Sequence, residues 1–190
     1  MRIQEPWNDW LAEPLSHDHL VHHYAEEISL VEALSIYAGV GLGKGEAVVL
    51  VMARDHALAM RERLYADGFE TSDLERWGQL RILDAADLLG EFMVDGLPDA
   101  ARFAEVCDSL IATARGASRA GRVRVYGEMV NLLWRQGNED AALALERLWN
   151  DAIRKHRMPL LCAYRTDAGR VLPDDLTRAH THVVPAGACE

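Results

Sequence analysis

Residues 46–52, EAVVLVM, form an almost unbroken apolar run between Gly45 and the polar pair Arg54-Asp55. A strand with one solvated face alternates apolar and polar side chains. An unbroken run instead predicts a strand covered on both faces, as in a parallel sheet flanked by helices. Further strand-like runs follow at 80–83, 123–126 and 160–164 (LLCAY), each separated from the next by helix-patterned sequence. Strands alternating with helices predict an α/β fold of three layers, a mostly parallel sheet with helices on both faces.

The helical period is clearest over residues 26–40, 55–67, 85–93, 100–114, 128–135 and 140–156. Asp55 and Asp99 stand where N-caps belong, and Ser72 with Glu75 reads as a capping box for a short helix ending at Trp77. Gly39, Gly41, Gly43 and Gly45 are expected to end the first helix before the 46–52 strand. Residues 1–16 read as an irregular lead-in broken by Pro6 and Pro14, with Trp7 and Trp10 packing onto the body. Residues 17–166 form the domain proper, and 167–190 a polar extension in which 180–184 supplies a last edge strand. A strand over 19–24, also expected at an edge, would place His19, Val21 and His23 on one face and Leu20, His22 and Tyr24 on the other.

The formal charge of −10 disfavours nonspecific nucleic-acid binding, which needs a basic surface to displace counterions. The basic run Arg115, Arg119, Arg122 and Arg124 reads as a solvated helix end rather than a phosphate site. Three well-separated cysteines, Cys107, Cys162 and Cys189, form neither a disulfide framework nor a zinc knuckle, and point to a reducing cytoplasm. Cys107 and Cys162 fall on apolar patterns and read as inert core. The N-terminus carries no apolar stretch of a signal peptide, and no run reaches the ~18 residues of a membrane span.

Several motifs fail in an informative way. Gly39-Val-Gly-Leu-Gly-Lys44-Gly45 is not a phosphate loop, because position 38 is Ala and Lys44 is followed by Gly instead of a hydroxyl residue. The turn after the 46–52 strand would carry the glycines and lysine of a nucleotide-binding protein, yet it reads MARDHALAM. Arg54 at a helix start keeps open an anion site, and with Lys44 a nucleotide-binding or hydrolysing enzyme using a remodelled loop. His17, His19, His22 and His23 cluster in sequence. A metal or haem sensor would draw on His19, His22 and His23 plus a further donor from Glu128, Cys162 or the pair His180/His182, although no zinc spacing is present. No cofactor is expected, and metal or haem stays open. Glu128 follows Gly127 at the end of the 123–126 strand, where open α/β sheets place their sites. It suits a ligand acceptor as well as a helix cap or a partner for Arg54 or Arg124. Trp134 and Trp149 read as core.

Taken in order, His19 with Tyr24, GLGKGEAVVLV, QLRILD, FMVDGLPDAARF, GEMVNLLWRQGN, LERLWN and LLCAY resemble the MEDS sensory domain, named for methanogen, methylotroph and dichloromethane-regulator proteins. The resemblance runs from about residue 17 to 164. It implies a RecA/KaiC-like fold that has lost its phosphate loop. It also implies a non-catalytic sensory role in bacterial or archaeal signal transduction, with a small organic ligand. Family members are often joined to histidine-kinase, anti-sigma-type or DNA-binding outputs. Here the partner is expected to be a separate histidine kinase, anti-sigma-type protein or transcriptional regulator, with homo-oligomerisation open. The family often has Cys two places after the motif His, where this chain has Val21. The ligand-binding candidates are His19, Tyr24, Arg54, Tyr126, Glu128, Trp134 and Tyr164. A pure interaction module without a small-molecule ligand is the remaining alternative.

Overall fold

A computed structural model describes residues 6–166 and 172–184. Helix α1 (Pro6–Ala12) precedes strand β1 (His19–Tyr24), helix α2 (Glu27–Gly43) and strand β2 (Ala47–Met52). Helices α3 (Arg54–Ala66) and α4 (Thr71–Arg76) lead to β3 (Leu80–Asp84) and α5 (Ala85–Phe92). A small antiparallel pair, β4 (Met93–Val94) and β5 (Leu97–Pro98), turns into α6 (Ala100–Ala117). Then come β6 (Val123–Gly127), α7 (Met129–Arg135), α8 (Glu139–His156), β7 (Leu160–Arg165), α9 (Asp174–Arg178) and β8 (His182–Val184). The main sheet has strand order β3-β2-β6-β7-β1-β8 and every pairing in it is parallel.

The apolar run of β2 is buried at every position, because helices cover both faces. Ala47, Val49 and Val51 face one core with α5, α6, α7 and α8. Val48, Leu50 and Met52 face the other core with α1, α2 and α3. This is the two-residue strand period expressed as two cores. No described helix is long and apolar enough to cross a membrane.

Four expectations need correction. The lead-in is helical from Pro6, and its Trp7 and Leu11 are buried against α2. Strand β1 is interior, held between β7 and β8, so β8 takes the edge instead. Helix α2 runs on through Gly39 and Gly41. A Cβ at Gly41 would lie 2.8 Å from both Cδ and Nε of Arg124, so this glycine admits a side chain rather than ending the helix. Gly45, at φ 78°, makes the turn. Arg124 is not part of a solvated basic run. It is buried on β6, pairs with Glu46, donates from Nη1 to the carbonyls of Leu11 (3.2 Å) and Tyr37 (3.1 Å), and stacks over the Tyr37 ring. A buried arginine persists only when its charge and donors are matched in this way.

The capping assignments divide similarly. Asp99 accepts from the Arg102 amide and caps α6 as expected. Ser72 does not cap α4, and Glu75 turns away to a forked pair with Arg61. Asp55 lies inside the first turn of α3, whose N-cap is Ala53.

Candidate functional site

The carboxyl ends of β2 and β6 meet at Glu128. Its amide donates to the Val51 carbonyl (2.9 Å), which fixes the chain where β6 hands over to α7. The side chain is buried. Oε2 accepts the Ala53 amide at 2.9 Å, and Oε1 lies 2.7 Å from His56 Nδ1. Strand β2 ends at Met52 and α3 begins at Arg54, so Ala53 alone links them. The start of a helix carries unsatisfied amides and a positive dipole end, and here the chain's own carboxylate answers both. The Glu128 carboxylate raises the His56 pKa against the opposing effect of burial. Glu128 stands at the N-cap of α7, but its side chain makes no cap hydrogen bond there and pairs with neither Arg54 nor Arg124. Arg54 is exposed and turned to Asp84 (2.7 Å) and Asp87 (3.5 Å).

Around this pair lie Tyr24 at the end of β1, Asn131 on α7 and Arg165 at the end of β7. The Tyr24 ring meets His56 edge-on at 6.3 Å. Its hydroxyl accepts from Asn131 Nδ2 (3.3 Å), while Asn131 Oδ1 accepts the Arg165 amide (3.1 Å). Burial, then the Glu128 charge, push the Tyr24 phenol well up. Tyr126 on β6 is fully buried, and its hydroxyl has no hydrogen-bond partner among the described residues. A buried hydroxyl left so costs about 1–3 kcal/mol unless a bound molecule or water completes it. A neighbouring groove of about 250 Å³ opens at the ends of β2 and β3, lined by Met52, Arg54, Ala57, Ile82, Asp84 and Asp87 among others.

The remaining candidates gather on the opposite face of the sheet. His19 on β1, Cys162 and Tyr164 on β7, Glu146 on α8 and His180 after α9 form one buried cluster. His19 Nε2 is 3.4 Å from Cys162 Sγ and 3.3 Å from Glu146 Oε2. His180 Nε2 lies 3.3 Å from Glu146 Oε1, and the Tyr164 hydroxyl donates to the same oxygen at 2.6 Å. Cys162 Sγ is 3.7 Å from Glu146 Oε2. Burial pushes the Glu146 carboxyl up, but His180 and His19 more than offset it and hold it below the usual carboxylate range. Burial, then Glu146, push the Cys162 thiol well up. Cys162 is therefore a member of a polar cluster, in contrast to Cys107, which lies in an apolar setting that lifts its thiol to about 12. Cys189 lies outside the described residues.

Thus His19, Tyr164 and the buried cluster stand apart from Tyr24, Tyr126 and Glu128. Trp134 packs edge-on to Tyr164 (6.3 Å) within the core. His22 and His23 do not join His19 in a donor set. His22 points to the other face, 3.3 Å from the Val184 carbonyl and 3.2 Å from Ser29 Oγ. His23 is half-buried, its Nε2 without a hydrogen-bond partner among the described residues, and burial, then His180, lower its pKa.

Sequence reasoning missed His56, Asn131 and Glu146. Nothing local marks His56, which reaches Glu128 from another helix, or Asn131, which stands close to Glu128 in the chain but whose partner Tyr24 lies on a remote strand. Glu146 did leave a signal: it stands in the α8 stripe of Ala142, Leu145, Trp149 and Ile153, where a charged residue is out of place.

Among solved structures, the chain is similar to a KaiC-like protein from the hyperthermophilic archaeon Pyrococcus horikoshii OT3, with TM-score 0.59 and 11% identity over 90% of this chain and 71% of that one. At that identity the likeness shows the fold alone, and it agrees with the RecA-like order of the sheet. No curated protein matches. The family model for the methanogen/methylotroph, DcmR sensory domain matches residues 18–182. That match spans most of the chain, and the chain belongs to the MEDS sensory domain family.

Proposed function

We propose that this chain is a non-catalytic sensory domain that binds a small molecule at the carboxyl ends of β1, β2 and β6 and passes the signal to a protein partner. The observation that carries this reading is the single-residue link between β2 and α3, closed by Glu128. Phosphate loops wrap their ligand with several glycine-flexible residues whose amides point at it. One residue, Ala53, gives no such wrap, and its amide is already bound by an internal anion. Glu128 is engaged with Ala53 and His56, so it is tied up as a structural anion rather than free to activate a water.

Family membership supports the sensory role. The buried Tyr126 hydroxyl and the Tyr24–Asn131 pair supply polar handles beside an otherwise apolar core, the composition typical of small-ligand sites. Because α3 and α7 both begin at this point, a ligand that competes for Glu128 or His56 would bias their packing. A ligand shifts a conformational equilibrium only by its differential affinity for the two states. The partner is expected to read that shift, a histidine kinase, anti-sigma-type protein or transcriptional regulator being the classes in view.

The test is native mass spectrometry of the protein purified from its own host. The expected result is a retained small organic molecule that is lost in Tyr126→Phe while the fold is kept. A retained nucleotide, or magnesium-dependent ATP hydrolysis abolished by Glu128→Gln, would refute the reading.

A further inference from the structure

The cluster on the opposite face of the sheet carries a separate conclusion that does not rest on the Glu128 site. We propose that His19, His180, Cys162 and Glu146 bind one zinc-class divalent cation. One ligand atom from each side chain lies within 4.8 Å of all the others. Tetrahedral zinc, with bonds of about 2.0–2.1 Å to nitrogen or oxygen and about 2.3 Å to sulfur, puts neighbouring donors roughly 3.3–3.6 Å apart. The contacts here are 3.3 Å from His19 to Glu146 Oε2, 3.4 Å from His19 to Cys162, 3.7 Å from Cys162 to the same Oε2, and 3.3 Å from His180 to the other oxygen, Oε1, so a single ligand oxygen would require a small rotation of the carboxylate.

The outer partners of the rings fit the same reading. His19 Nδ1 is 3.1 Å from both Asn150 Oδ1 and the Ala179 carbonyl, and His180 Nδ1 is 2.9 Å from the Leu176 carbonyl. These neighbours accept and do not donate, so each Nδ1 carries the proton. A neutral ring then turns the Nε2 lone pair into the cluster. Metal-ligating histidines are oriented in this manner, by carbonyl or carboxylate acceptors on the far nitrogen. Without a cation, the His180 lone pair would face the Glu146 carboxylate acceptor to acceptor unless its ring took up a second proton, and the single Cys162 thiol proton would have to serve both His19 and Glu146. Tyr164 completes the outer layer by donating to Glu146 Oε1.

Charge balance points the same way. A buried site strongly disfavours net charge. Two neutral imidazoles, one thiolate, one carboxylate and one divalent cation sum to zero. On binding, the Cys162 thiol proton leaves to solvent and the sulfur becomes a ligand. Four protein donors with the ring of His180 fully buried make a closed site, the form of structural rather than catalytic zinc. The donors come from β1, β7, α8 and the segment after α9, so the cation would pin residues 172–184 onto the sheet.

The test uses the full chain stripped with a chelator and titrated first with cobalt(II), then with zinc. One equivalent of cobalt is expected to give a thiolate-to-cobalt charge-transfer band with the intense d–d bands of four-coordinate geometry, both displaced by zinc. Asn150→Ala, which removes an acceptor behind His19, should weaken binding roughly 10–100-fold, and His180→Ala by more than about 100-fold. His156→Gln should change nothing. Cys162→Ser should lose the charge-transfer band. If that variant fails to fold, the chain with Cys107→Ser and Cys189→Ser decides, because a band retained there belongs to Cys162. Folded wild-type protein that takes up no cobalt into these bands overturns the proposal. So does binding indifferent to His180→Ala and Cys162→Ser, or a band lost in the chain that keeps only Cys162.

Discussion

Replacing Glu128 tests the closure of the β2–α3 link. The carboxylate is buried, accepts the Ala53 amide at 2.9 Å and lies 2.7 Å from His56. A hydrogen bond to a charged group contributes about 1.5–3 kcal/mol and a neutral one about 1 kcal/mol. Glu128→Gln keeps an acceptor for Ala53 but loses the charge, so it should destabilise by about 1 kcal/mol. Glu128→Ala also orphans the amide and opens a void, and should cost about 3 kcal/mol. Urea denaturation gives both values. The His56 ring gives a second readout by NMR titration. Its pKa is raised first by the bond to Glu128. A histidine raised in the folded state stabilises fully below its unfolded value near 6.5, and that contribution is lost as pH rises through the folded value. Both variants should bring the His56 titration down and flatten this part of the pH–stability curve. An unchanged His56 titration in Glu128→Gln would refute the pairing, whatever happened to stability.

Other perturbations probe the frame that holds both sites. Burial depresses His22 from 6.5 to about 4, so the unfolded chain takes up the proton first. Stability should be full above pH 6.5 and fall by up to about 3 kcal/mol between there and pH 4, with the fall reduced in His22→Gln. Arg124→Ala leaves the buried Glu46 carboxylate only its half-exposed partner Arg122 (3.3 Å) and should cost about 3 kcal/mol in urea denaturation. Gly41→Ala places a methyl 2.8 Å from the Arg124 side chain and should cost about 1–3 kcal/mol by the same assay, with Arg124→Lys relieving part of the loss.

The sheet was legible because β2 and β7 are apolar at almost every position, and only a doubly covered strand tolerates that. What escaped was set by contacts remote in sequence. Gly41 looked like a helix stop because the local rule is strong, but its role is to let α2 approach an arginine on β6. Arg124 stands in a basic run, yet its place between Val123 and Val125 on a buried strand marks it as internal. Glu128 was legible as a strand-end acid, and its partners were not, since Ala53 and His56 arrive from another strand and helix. The histidines cluster in sequence but not in space. Strand alternation separates His22 from His19 and joins His19 to Cys162, Glu146 and His180 instead.

Nucleotide binding is the decisive readout of the closed link between β2 and α3. Isothermal titration of the full chain with magnesium and ATP, paired with its thermal unfolding midpoint, reads occupancy of the phosphate position without assuming a reaction. A ligand that binds the folded state raises apparent stability by mass action, by about 2.7 kcal/mol at a hundredfold excess over Kd. With Ala53 as the whole link and Glu128 on its amide, no heat and no shift are expected at millimolar nucleotide. A saturable heat accompanied by a raised midpoint would contradict it.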